Sequence, residues 1–86
     1  MSEKKIVLFA LSTCPACKKT KKLIQEMGVE AVIIDLDTID RDSRDKLLSK
    51  MRIYNPKETF PTLVINGGQK VIIGYGEEEI RESLSA

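Results

Sequence analysis

The sequence has no histidine and no tryptophan, only two cysteines, and no long apolar run. Each shortage excludes something. With Cys14 and Cys17 as its only thiols and no histidine, the chain cannot by itself supply the four ligands of the usual structural zinc site. No stretch approaches the ~20 apolar residues of a membrane span, so no membrane association is expected. The first apolar run, Ile6 to Leu11, follows charged residues within Met1 to Lys5. It is too short for an export signal and has no small-residue cleavage site, so the expected location is cytoplasmic. A formal net charge of +1 argues against a dedicated nucleic-acid binder, leaving only local patches to consider. No repeat, low-complexity tract or linker divides the 86 residues, and 1–86 reads as a single domain. A chain of this size buries roughly 60–65% of its unfolded surface, enough for one modest core.

What is present is concentrated in Ser12-Thr13-Cys14-Pro15-Ala16-Cys17-Lys18-Lys19. Lys5 to Ala10 is a continuous apolar-rich run that suits a central strand buried on both faces. Cys14 stands at an N-cap position, and Pro15 at the first helical position, which tolerates proline. Thr20, Leu23, Ile24 and Met27 recur at helical spacing, and Gly28 is a natural stop. Ala31 to Leu36 reads as a second strand. Asp37 to Asp40 forms a turn with a capping residue. A helix from about Asp40 to Met51 or Arg52 should bury Leu47, Leu48 and Met51. Asn55-Pro56 marks a loop. Thr62 to Ile65 and Val71 to Ile73 are short β-rich runs around the hairpin signal Asn66-Gly67-Gly68. Gly74-Tyr75-Gly76 breaks the second run, and Glu77 to Leu84 is a last helix with acids in its first turn. The order is β-α-β-α-β-β-α. A parallel pair made by a right-handed crossover, plus an antiparallel hairpin, gives an α/β fold with a four-stranded mixed sheet and three flanking helices.

A cytosolic pair of close cysteines is catalytic or metal-binding rather than structural. The thiolate is the reactive form, and a free cysteine has a pKa near ~8.5. The unpaired N–H groups and positive dipole end of the helix should lower Cys14. Lys18 adds positive charge one turn on, with Lys19, Lys21 and Lys22 as a weaker background. Cys14 is therefore expected to be the exposed nucleophile, and Cys17 the more buried resolving thiol in thiol–disulfide exchange. The competing reading is a carrier: an iron–sulfur cluster or soft metal shared between two chains or completed by small thiols. Soft-metal chaperones that use CxxC usually follow a β-α-β-β-α-β order, which this chain does not.

Three other features carry two readings each. Pro61 can simply open a strand. It can instead follow a cis bond, leaving the Phe60 backbone free to pair with an extended substrate beside Cys14. The lysines of the first helix are a solvated face or a patch for an acidic partner or anionic small thiol. Tyr75 is a core tyrosine or a loop side chain beside the dithiol.

Taken together, Cys14-Pro15-Ala16-Cys17 after the first strand, Thr59-Phe60-Pro61 before the third and Gly74-Tyr75-Gly76 before the last helix resemble the glutaredoxin family of the thioredoxin-fold superfamily. The resemblance runs nearly end to end. It implies an internal first strand, a cis Pro61 and reversible disulfide chemistry at Cys14. It also implies a substrate groove lined by Pro15, Ala16, Thr59, Phe60, Pro61, Gly74 and Tyr75. The departures concern the electron donor. Glutathione-using members usually carry a tyrosine where this chain has Ala16, and often a lysine where it has Leu11. They have a Gly-Gly pair closely followed by aspartate, whereas here Tyr75 separates Gly74 from Gly76 and Glu77 stands near the acid. A Gly-aromatic pair at that point is similar to the glutaredoxin-like reductants of ribonucleotide reductase, which take electrons from thioredoxin reductase. The thioredoxin signature, with tryptophan before the first cysteine and Gly-Pro between the two, is absent. The expectation is a monomer with no bound cofactor or metal, acting on protein or low-molecular-weight disulfides, ribonucleotide reductase being one candidate. Its donor would be glutathione, another small thiol or a thioredoxin-reductase-type enzyme.

Overall fold

β1 (Ile6–Ala10) is the strand around which the rest is arranged. In the computed structural model, which describes residues 5–85, it pairs in parallel with β2 (Val32–Asp35) and antiparallel with β3 (Thr62–Ile65). β4 (Lys70–Ile73) adds to the far side of β3, giving the order β2-β1-β3-β4. Three helices complete the chain: α1 (Pro15–Glu26), α2 (Arg41–Tyr54) and α3 (Glu77–Leu84). Residues 1–4, on which the reading of no export signal partly rests, lie outside the described residues, as does Ala86.

The alternation of side chains along a strand divides the core between the two faces of the sheet. Ile6, Leu8 and Ala10 of β1 join Leu63, Ile65 and Ile72 on one face. Leu23 and Ile24 of α1 and Ile80 and Leu84 of α3 cover that face. Phe9 and Val64 point to the other face, where Leu36, just after β2, and Met51 of α2 meet them. Cys17 is fully buried in the α1/α3 layer, so one of the two thiols is part of the core.

Several boundaries differ from the sequence reading. β2 is shorter than Ala31 to Leu36, and as an edge strand it leaves Val32 57% exposed. Leu47 and Leu48 are half-buried, while Met51 is fully buried, because α2 meets the sheet along a narrow stripe. α2 also runs past Arg52 to Tyr54 and ends only at Asn55, whose φ of −141° and ψ of 86° lie outside the helical region. Pro56 enforces that end, since the residue before a proline is pushed out of the helical region. The hairpin link between β3 and β4 falls at Asn66–Gly68, as a 3-10 turn, and β4 begins one residue earlier than expected, at Lys70. Gly28 closes α1 with a φ of +67°, a region glycine enters without strain.

Candidate active site

The strand register brings three separate segments to one end of the sheet. Phe9 pairs with Thr62, and Thr62 pairs with Ile73. The chain leaving β1, the chain entering β3 and the chain leaving β4 therefore emerge side by side. They carry Cys14, the cis peptide bond Phe60–Pro61 and Gly74-Tyr75 respectively. Cys14, Phe60 and Tyr75 are all half-buried and pack on the core layer that holds Cys17.

Cys14 is the N-cap of α1, with extended φ of −81° and ψ of 120°. Its own N–H closes a turn on the Leu11 carbonyl at 3.2 Å, and its carbonyl accepts the first helical bond from Lys18 N–H at 3.0 Å. Pro15 follows at the first helical position, where a missing N–H costs no bond. The Cys14 sulfur faces the open helix end and accepts the Cys17 N–H at 3.2 Å. Thr20, fully buried one turn further on, satisfies its hydroxyl on the Ala16 carbonyl at 2.9 Å.

The two free thiols have opposite electrostatic surroundings. The Cys14 thiol is held below its ordinary value, first by the hydrogen bond from the Cys17 thiol and then by the backbone N–H groups of Cys17 and Ala16; Lys21 adds a favourable charge. The Cys17 thiol is pushed up to about 11, mainly by burial and then by that same bond to Cys14. The more accessible thiol is thus held below its ordinary value and the buried one above it.

The cation involved is Lys21, not Lys18 as the sequence suggested. Lys18 is exposed, whereas Lys21 is half-buried and ion-paired with Asp35 at the end of β2. Helical spacing explains this: positions 14, 17 and 21 share one face of α1, the face turned to the sheet. Lys19 lies over the Tyr75 ring at 5.9 Å, and the Tyr75 hydroxyl donates to Glu77 at 3.2 Å. Tyr75 thus combines both of its readings, a ring packed on the core layer and a polar tip in the loop. Glu77 in turn accepts from Arg81 at 2.9 Å.

The cis-proline loop depends on a residue that the sequence reading passed over. Asn55, 1% exposed, donates from its amide to the Thr59 carbonyl (3.1 Å), the Thr59 hydroxyl (3.1 Å) and the Thr62 hydroxyl (2.9 Å). Its side-chain oxygen accepts the Lys57 N–H at 3.2 Å. Thr62 closes the ring by donating to the Thr59 carbonyl at 2.7 Å. Thr59 itself is exposed, but its hydroxyl is committed to this network. Behind the proline, the Pro61 carbonyl accepts the Gly74 N–H at 2.9 Å, which joins this loop to the Tyr75 segment. Gly74 has a φ of +85°, so a residue with a side chain would be strained there. The polar spacing Asn55, Thr59, Thr62 around two prolines was the available signal for this network.

Among the described residues, no group of three or more His, Cys, Asp or Glu side chains is placed to hold a metal ion. No helix among them is long and apolar enough to cross a membrane.

The family model described as Glutaredoxin matches residues 6–70. The methanoredoxin of Methanosarcina acetivorans is 38% identical and superposes with a TM-score of 0.90 over 95% of this chain and 85% of that one. The glutaredoxin of Methanosarcina mazei Go1 is 40% identical, with a TM-score of 0.86 over 95% of this chain and 79% of its own. Glutaredoxin-C4 of Arabidopsis thaliana is 31% identical over 67 residues, 78% of this chain. This chain matches only about half, 48%, of the length of that plant relative.

Proposed function

The chain belongs to the glutaredoxin family and has its mixed four-stranded sheet with three helices; from that premise we propose that it is a dithiol–disulfide oxidoreductase. The observation that carries this reading is the asymmetry of the pair: a half-buried Cys14 whose sulfur accepts the Cys17 N–H at 3.2 Å at the open end of α1, and a fully buried Cys17 whose thiol is pushed up to about 11. The Cys14 thiolate attacks one sulfur of a substrate disulfide. That S–S bond breaks, a Cys14–substrate disulfide forms, and the other substrate sulfur leaves as a thiolate that takes a proton from water. Cys17 then loses its proton to solvent and attacks the Cys14 sulfur. The substrate leaves as its second thiol, and the protein keeps a Cys14–Cys17 disulfide. Two electrons have passed to the substrate.

Formation of the mixed disulfide also prepares the second step. Two of the influences that raise Cys17 are its hydrogen bond to Cys14 and the Cys14 charge. Both vanish once the Cys14 sulfur is bonded to substrate, leaving burial as the main opposing influence. Cys17 therefore becomes easier to ionise at the moment it is needed.

The groove for an extended substrate runs past Pro15 and Ala16, between the Thr59-Phe60-Pro61 loop and Gly74-Tyr75, with the Phe60 backbone as its pairing edge. The substrates are protein or small-molecule disulfides, with ribonucleotide reductase a candidate through the Gly74-Tyr75 resemblance. The protein acts as a cytosolic monomer without a bound cofactor. Its oxidised form recovers two electrons from glutathione, another small thiol or a thioredoxin-reductase-type enzyme; Ala16 and Leu11 favour the last two. The test is the rate at which the oxidised protein regains two thiols, with NADPH and either glutathione plus its reductase or thioredoxin reductase alone. Recovery in either arm supports the exchange reaction and identifies the donor. No recovery in either arm, together with no mixed disulfide trapped in Cys17→Ser by a model disulfide, would remove this reading.

A further inference from the structure

Immediately before Cys14 the chain makes a contact that thiol chemistry alone does not require. Asp37, beyond the end of β2, accepts two hydrogen bonds from Ser12: its N–H at 2.9 Å and its hydroxyl at 2.6 Å, one on each carboxylate oxygen. The two residues are 25 apart in sequence. Ser12 sits inside the turn that the Cys14 N–H closes on the Leu11 carbonyl.

The segment that presents Asp37 is itself fixed. Leu36 N–H bonds the Ala10 carbonyl at 2.9 Å, which ties the end of β2 to the end of β1. Thr38 then bonds the Asp35 carbonyl twice, from its N–H at 3.1 Å and from its hydroxyl at 2.9 Å. The Asp35–Thr38 turn is thus closed on itself and anchored to the strand that feeds the dithiol loop. On that turn the Asp37 carboxylate accepts both Ser12 donors.

We propose that Asp37 is a positioning residue for the exchange reaction: with Ser12 it forms a latch that holds the Leu11–Cys14 turn so that the Cys14 sulfur stays over the open end of α1. This rests on the proposed role of Cys14 as the attacking thiol. The geometric reason is leverage. Cys14 is the cap, so its sulfur meets the Cys17 N–H only while the preceding turn keeps its φ and ψ. Pro15 fixes the chain after Cys14, and the latch fixes the chain before it. A displacement near 1 Å at a reacting atom can cost up to about a hundredfold in rate.

The test is the second-order rate at which iodoacetamide alkylates Cys14 in the reduced full-length protein, alongside thermal melting. This readout needs no substrate disulfide and no electron donor, so it separates failure of the latch from failure of the exchange reading. Asp37→Ala, which loses both bonds, should slow alkylation about three- to tenfold. Asp37→Asn should return to within about twofold of the parent, because its side-chain oxygen accepts the Ser12 N–H and its amide can donate to the Ser12 hydroxyl. Ser12→Ala, which keeps the N–H arm, should fall between them, and it carries the test if Asp37→Ala does not fold. Parental alkylation in Asp37→Ala, whatever its melting temperature, would overturn the proposal. So would an Asp37→Asn variant as slow as Asp37→Ala, since charge and not the two bonds would then be responsible.

Discussion

The loop that carries Cys14 and the loop that carries Pro61 leave the same end of the sheet, but they are held in different ways. The first is tied by the exposed carboxylate of Asp37 and contains the reactive sulfur. The second contains no group able to exchange electrons and is tied from within by the buried amide of Asn55. A hydrogen bond in water contributes little net stability, whereas a buried polar group left without a partner costs its full desolvation. The two halves of the site should therefore respond differently to damage: the dithiol half through reactivity, the cis-proline half through stability.

The largest effect expected is on reactivity alone. Cys14→Ser should lower disulfide turnover at least ~1000-fold, because it removes the nucleophile. Its melting temperature should stay within a few degrees of the reduced parent, since Cys14 is only half-buried and serine is itself a good N-cap. Assay and melt on the same sample check both parts. A large loss of stability would blur the division between the halves.

Asn55→Ala is the opposite experiment. It strips partners from the Thr59 carbonyl, from two threonine hydroxyls and from the Lys57 N–H. The expected cost is about 2–4 kcal/mol, measured by urea denaturation. In the fraction that remains folded, Cys14 should be alkylated at close to the parental rate. If Asn55→Ala instead left stability unchanged and slowed Cys14, the proposed contrast would be reversed.

These two residues also mark how far the sequence could be read. The order of elements, the internal first strand and the Cys14 cap were legible because each has a local signature: an apolar run, a proline at the first helical position, a glycine at the helix end. The cis bond at Pro61 came from the resemblance, since an isolated Phe-Pro pair allows either isomer. Asn55 and Asp37 were not legible, for a common reason. Asn-Pro reads as a turn and Asp before a helix reads as a cap, and both local readings are adequate without tertiary partners. Their partners Thr62 and Ser12 lie 7 and 25 residues away, and nothing periodic links them. Lys21 was legible in principle, from its seven-residue spacing to Cys14, but Lys18, next to the motif, is the nearer charge in sequence.

A smaller effect should appear in the pH dependence of stability. For Cys14 the folded-state pKa is depressed, so the stability it adds is present above the unfolded thiol value and is lost as pH falls through the folded value. For Cys17 the sign is reversed. Its folded value of about 11 exceeds the ordinary value of 9.0, so its contribution is complete below 9.0 and is lost as pH rises from there through 11. Reduced parent should therefore lose stability between those values relative to Cys17→Ala, and oxidation, which removes both protons, should abolish the difference. Parallel melting curves for parent and Cys17→Ala across that range would mean that Cys17 is not as insulated as its burial implies.

The smallest effect concerns which neighbours set the ionisation of Cys14. The Cys17 side chain is the largest influence lowering the Cys14 pKa, and the Lys21 charge a lesser one. Cys17→Ala should therefore raise the Cys14 pKa most, read as the midpoint of thiolate absorbance or of the alkylation rate against pH. Lys21→Met should raise it less, because the ammonium is already partly neutralised by Asp35. Lys18→Met should leave it in place, since that side chain is exposed and its charge is screened by solvent. Equal shifts from Lys18→Met and Lys21→Met would mean that Cys14 responds to the net charge of α1. A shift confined to Lys21→Met would mean that it responds to the half-buried face of the helix, where Lys21 is paired with Asp35.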